Sequence, residues 1–116
     1  MKEYKILQLN VWTGRIKGAL LEFIEKNNFD IICLQEAVWS TNRETLEIFS
    51  TTVDQIKEHG NLQYESRAEN WVTNAFNSKI YQGNAILSRH KIIDEKIELY
   101  EDGKCAYVKD GVLYHG

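Results

Sequence analysis

From Lys5 to Trp12 the chain reads KILQLNVW and alternates like a strand. Leu7, Leu9 and Val11 fall on one face; Ile6, Gln8, Asn10 and Trp12 fall on the other. Thr13-Gly14 breaks the period. From Arg15 to about Lys26 the apolar residues Ile16, Leu20, Phe23 and Ile24 recur at helical spacing. Asn27-Asn28 then supplies a stop, because Asn tolerates the left-handed conformation. Asp30 to Ala37, DIICLQEA, is nearly continuous in its apolar character, which predicts a strand covered on both faces. Strand, helix and strand joined by short loops predict a βαβ unit with parallel strands and a right-handed crossover.

The pattern then predicts a second helix. Thr41 and Glu44 match a capping box, Leu46, Phe49, Val53 and Ile56 form a three-four apolar stripe, and Gly60 is a stop. Residues 62–66 read as a short strand. Residues 67–81 show no clean period and read as a loop or extended excursion. GNAILSR, residues 83–89, is a strand, and 92–100 is another, with Ile93, Ile97 and Leu99 toward a core. Asp102-Gly103 and Asp110-Gly111 are hairpin turn signals, so the tail reads as an antiparallel meander of short strands.

Parallel strands end at the same edge of a sheet, so Asn10 and Glu36 are brought to one carboxyl edge, where open α/β sheets bind ligands. Two readings of Glu36 stand side by side. It is either a solvated strand end or a ligand for a hard cation such as Mg²⁺, which prefers oxygen and takes only one or two protein carboxylates. Asn10 either satisfies a turn, holds a phosphate oxygen, or orients Glu36. Trp12 and Trp39, just beyond that edge, are packing residues or the walls of a substrate cleft; Trp71 reads as a packing residue. His59, His90 and His115 read as surface residues.

Composition narrows the classes. With 116 residues the chain is one domain at most, and a net charge of −3 gives no bulk attraction to nucleic acid or membrane. Cys33 and Cys105 lack CxxC spacing and read as reduced, packed thiols. The N-terminus has no long apolar run of the signal-peptide type, and no stretch approaches a membrane span, so the expected location is cytoplasmic.

Taken as an ordered set, ILQLNVW, LLEFIEKNNFDIICLQEA and GNAILSR resemble the endonuclease/exonuclease/phosphatase superfamily. The resemblance covers about residues 5–37 and 82–93. It implies a four-layered α/β/β/α sandwich and divalent-metal hydrolysis of phosphoesters, with Mg²⁺ or Mn²⁺ as cofactor. It implies a phosphoester substrate: nucleic acid, or a phosphorylated small molecule or lipid. By the same resemblance Asn10 contacts the active-site phosphate and metal network, and Glu36 is a metal ligand. The superfamily's later N-T-H-L-like, G-D-F-N-like and S-D-H motifs do not occur before Gly116. Residues 1–116 are therefore expected to form a partial domain, the N-terminal half of that sandwich. The expected function is a metal-dependent phosphoester hydrolase, incomplete in this chain. The alternative, of a different class, is a catalytically inactive binding or assembly module of the same fold. An uncovered sheet face carrying Ile6, Ile32 and Leu34 beside Asn10 and Glu36 is expected to drive self-association or pairing with a complementary chain.

Overall fold

Strand β1 (Ile6–Asn10) lies parallel to β2 (Ile31–Ser40), with Leu7 opposite Ile32 and Asn10 opposite Gln35. The computed structural model describes residues 3–75 and 77–92, together with the backbone of 94–95, 106–109 and 112–115. Helix α1 (Ala19–Asn27) makes the crossover from β1 to β2. Helices α2 (Arg43–Phe49) and α3 (Val53–Gly60) follow, then a long hairpin of β3 (Tyr64–Ala75) and β4 (Ser78–Ser88). Strand β4 returns antiparallel beside β2, giving a mixed sheet in the order β1-β2-β4-β3. The backbone of β5 (Asp94–Glu95), β6 (Ala106–Lys109) and β7 (Val112–His115) forms a second sheet in the order β5-β7-β6. The expected α/β class with a βαβ start is what the chain adopts.

One face of the larger sheet is closed by helices. Ile32 and Leu34 of β2 and Ala85 and Leu87 of β4 share a cluster with Leu20 and Ile24 of α1 and Val53 and Ile56 of α3. Arg67 of β3 reinforces that side. Its guanidinium sits 2.8 Å from Asp54 of α3 and 5.5 Å from the Trp39 ring centroid.

Several expectations are corrected. The first helix starts at Ala19 rather than near Arg15, because Trp12, Thr13, Gly14 and Gly18 all have positive φ. Its end is as expected: Asn28 is a left-handed cap at φ 58°. The second helix is two helices. The Thr41/Glu44 box does not form; Asn42 caps α2, accepting from the Thr45 N–H at 3.5 Å. The capping box belongs instead to Thr52 and Gln55 at the start of α3, with the reciprocal bonds at 3.2 and 3.1 Å. Ser50, Thr51 and Thr52 interrupt the stripe, since their hydroxyls compete locally with the helical ladder. Phe49, expected in the stripe, is exposed.

The aperiodic segment 67–81 is mostly strand. Its outer half, from Glu69 to Asn74, is exposed on both sides, so no buried face imposes an alternation. The tail is not an all-antiparallel meander, because β5 pairs with β7 in parallel; β6 and β7 are antiparallel. Ile93, Ile97, Leu99, Cys105 and both Asp-Gly turns lie outside the described residues. Cys33 is free and half-buried, and burial pushes its thiol pKa up. Among the described residues no helix is long and apolar enough to cross a membrane.

The strand starts are tied at Asp30. Its carboxylate accepts the Lys5 N–H at 2.8 Å, its own N–H donates to the Lys5 carbonyl at 2.8 Å, and its carbonyl accepts the Arg89 N–H at 3.0 Å. His90 stands 3.4 Å from the same carboxylate. The Lys5 N–H holds the Asp30 pKa below its ordinary value; partial burial opposes this, and His90 assists. A carboxylate with a lowered folded pKa contributes stability above the unfolded pKa of about 3.9 and loses it as pH falls through the folded value. Urea midpoints should therefore fall as pH drops below about 4. The Asp30→Asn variant should show a flatter acid limb. An equally steep limb in that variant would place the proton uptake elsewhere.

Candidate active site

The site is built by a break in strand alternation. Leu34 pairs with Ala85 and Ala37 with Gly83, so Gln35 and Glu36 together oppose the single residue Asn84. Such a two-against-one bulge bends the strand and re-aims a side chain. Glu36 takes a left-handed backbone, φ 52°, which costs a non-glycine residue about 1 kcal/mol or more. Without the extra residue, Glu36 would follow Ile32 and Leu34 toward the helix-covered core. With it, the carboxylate is exposed and meets Asn10, whose Nδ2 donates to Glu36 Oε2.

The bulge also corrects the expected uncovered face. Ile32 and Leu34 are 0% and 1% exposed under the helices, and neither shares a side with Glu36. Of the three residues, Ile6 alone is open, at 59%.

Asn10 works at both ends. Its Oδ1 accepts the Trp12 N–H at 2.9 Å, fixing the turn that follows β1. In that turn Trp12, Thr13 and Gly14 have φ of 49°, 57° and 78°. Three successive left-handed residues are costly, since only glycine adopts this conformation freely. The break between α2 and α3 buttresses them. The Thr51 N–H donates to the Gly14 carbonyl and the Thr51 hydroxyl to the Ile16 carbonyl, both at 2.8 Å. A Cβ on Gly14 would stand 2.4 Å from the Thr51 carbonyl oxygen, so only glycine fits.

The structure thus brings Asn10 and Glu36 into contact, as their shared edge implied. It separates the other candidates. His90 pairs with Asp30 at the opposite end of β2, roughly 20 Å of extended strand from Glu36. His59 lies at the end of α3, 3.5 Å from Glu25 of α1. Trp39 stacks on Tyr81, centroids 6.0 Å apart, and packs against the core on the helix side, so it does not line a cleft beside Glu36. Trp12 is 62% exposed next to Asn10, and Trp71, expected to pack, is exposed.

Two residues that the pattern passed over stand on the face of Glu36. Asn84 and Gln82 alternate with Gly83 and Ala85, whose partners Ala37 and Leu34 belong to the helix-side core. They are 3% and 8% exposed, and Asn84 Nδ2 and Gln82 Oε1 have no hydrogen-bond partner among the described residues. The only signal in the sequence was the Gly-Asn pair, which reads equally well as a turn.

Among the described residues no group of three His, Cys, Asp or Glu side chains lies close enough to hold a metal. Glu36 nevertheless suits a hard cation. It is exposed, an oxygen donor, and oriented through one oxygen by Asn10, and Mg²⁺ commonly uses one or two carboxylates plus waters.

The sequence model of the endonuclease/exonuclease/phosphatase family matches residues 7–116. The chain belongs to this family. Its members hydrolyse phosphoesters. None of the curated proteins matches the chain. Among solved structures, it is similar to an endonuclease/exonuclease/phosphatase family protein from Leptotrichia buccalis C-1013-b, with 20% identity and a TM-score of 0.48. That match covers 78% of this chain and 39% of the other.

The packing of Gly14 makes a direct test of the site turn. Gly14→Ala combines a left-handed alanine with a backbone clash and should destabilise the fold by about 2 kcal/mol or more. Gly18→Ala also has a positive φ but meets nothing within 4 Å, so its loss should be smaller. Chemical denaturation of both variants checks the order; equal losses would mean the Thr51 contact is slack.

Proposed function

We propose that this chain carries the Asn10/Glu36 part of a divalent-metal phosphoester hydrolase site. Membership of the family supports the reaction class. The single observation that carries the site assignment is the bulge. A left-handed glutamate inside a strand is strained, and here the result is a carboxylate outside the core that accepts a hydrogen bond from an amide.

In this reading Glu36 holds Mg²⁺ or Mn²⁺ through its carboxylate, with waters and groups outside the described residues completing the shell. The ion, when bound, neutralises charge that develops on the phosphoryl oxygens. Asn10 keeps the carboxylate aimed and ties its position to the Trp12–Gly14 turn. The substrate is a phosphoester, of nucleic acid or of a phosphorylated small molecule or lipid. Exposed Trp12 at the rim offers a flat apolar surface to whatever group the phosphate carries.

Mn²⁺ titration followed by NMR tests the assignment. Paramagnetic broadening should centre on residues 10 and 36 and vanish in Glu36→Gln. Broadening that persists there would remove Glu36 from the site. Hydrolysis of a bis-nitrophenyl phosphate ester, in any form of the protein that supports it, should fall about 10²–10³-fold in Glu36→Ala and in Asn10→Ala, as for loss of one preorganised electrostatic contact. Near-unchanged turnover in either variant would clear that residue of its role.

A further inference from the structure

We propose that Asn84 is a third residue of the site and that its side-chain amide donates to a phosphoryl oxygen of the substrate. The inference rests on the phosphoester reading above and adds to it a binding residue from a different strand. It starts from an energetic anomaly. A buried donor without a partner is destabilising, and native folds keep such groups only rarely. Asn84 is 3% exposed, yet its Nδ2 is unpaired among the described residues. Two residues along the same face, Gln82 leaves its Oε1 unpaired as well.

Their place in the sheet removes a packing explanation. Leucine, isosteric with asparagine, would fill the same space without the unpaired donor. Asn84 is the one residue of β4 that faces both members of the bulge, Gln35 and Glu36. Asn10 flanks the bulge from β1, on the other side of β2. Glu36 is therefore bracketed by an amide on each neighbouring strand, with strands spaced about 4.8 Å apart. Asn10 has spent its amide on the Glu36 carboxylate. The amide of Asn84 is unspent. A hydrogen-bond donor beside a carboxylate that holds a cation fits an anion sharing that cation, and a phosphoryl group is the anion this family acts on. The unpaired carbonyl of Gln82 supplies an acceptor next to it, suited to a water or hydroxyl rather than to the anion.

The test uses inorganic phosphate with Mg²⁺ and reads binding rather than turnover. In the full chain, the Asn84 side-chain amide resonances should shift with phosphate and saturate together with those of Asn10. Asn84→Ala should weaken phosphate binding about ten- to hundredfold, the range for a hydrogen bond to a charged group, while Mn²⁺ broadening at Glu36 stays intact. Asn84→Leu should show the same loss of phosphate with an unchanged or raised melting temperature, because the unpaired donor is gone. A purely structural asparagine would lower the melting temperature and leave phosphate affinity alone. Wild-type affinity in Asn84→Ala would overturn the role of Asn84 and leave the phosphoester reading standing. A wild-type chain that binds neither Mn²⁺ nor phosphate would overturn both.

Discussion

The extra residue at Gln35–Glu36 governs the rest of the structure. In an unbroken strand the even-numbered side chains of β2 face the helices, as Ile32 and Leu34 do. Glu36 would follow them, and an unpaired carboxylate in that core is far too costly to keep charged. The bulge lets one strand be apolar up to Leu34, present a carboxylate at Glu36, and return to the core at Ala37. Strand β4 accommodates this through Gly83, which faces Ala37. A Cβ there would stand 2.0 Å from the Ala68 carbonyl oxygen. The ladder to β3 is shifted at the same level, between Glu69 and Trp71. Two irregularities therefore meet across one glycine, and the sheet bends at the level of the site.

The helical layer serves the same edge. Leu46, Val53 and Ile56 are all buried, but α2 and α3 are separate helices because Ser50–Thr52 is used for something else. Thr51 grips the Gly14 carbonyl and the Ile16 carbonyl, and Thr52 caps α3. Arg43 spans the break, pairing with Glu47 of α2 and Glu58 of α3, each at 2.7 Å. Thr52 also donates to Glu47 at 2.7 Å. The cost of interrupting a helix is thus met by caps and ion pairs, and the interruption supports a turn that cannot hold itself.

What could be read from the sequence follows from which forces are local. The βαβ start was legible because burial on both faces of β2 and the stripe of α1 write themselves into composition and spacing. The pairing of Asn10 with Glu36 was legible for the same reason: parallel strands share an edge. The sense of the Glu36 side chain was not. A bulge inserts one residue without changing the residue types around it, so a period of two carried past Leu34 put Ile32 and Leu34 on the wrong side. The helix break was hidden by a stripe that keeps its three-four spacing across Ser50–Thr52. The hairpin between 67 and 81 was hidden by exposure: a strand that buries neither face has no pattern to show.

Backbone strain in this chain is not spread evenly. Apart from Asn residues, which tolerate the left-handed region, the non-glycine residues with positive φ are Trp12, Thr13 and Glu36 among the described residues. Trp12 and Glu36 each take one of the two hydrogen bonds of the Asn10 side chain, and Thr13 follows Trp12 in the same turn. Strain of this kind persists only where surrounding structure over-determines it. Here the surroundings are the Thr51 buttress on one side and the bulged ladder on the other, with Asn10 joining them. The same few residues also border the unpaired amides of Asn84 and Gln82. Replacing Asn84 with an apolar residue would remove an unpaired donor, whereas straightening β2 would turn Glu36 toward the helix-side core and Ala37 away from it. The strained turn, the bulge and the unpaired Asn84 donor thus lie together at one edge of the sheet, while Arg89 Nε, also buried and without a partner among the described residues, lies beside Asp30 at the other end of β2.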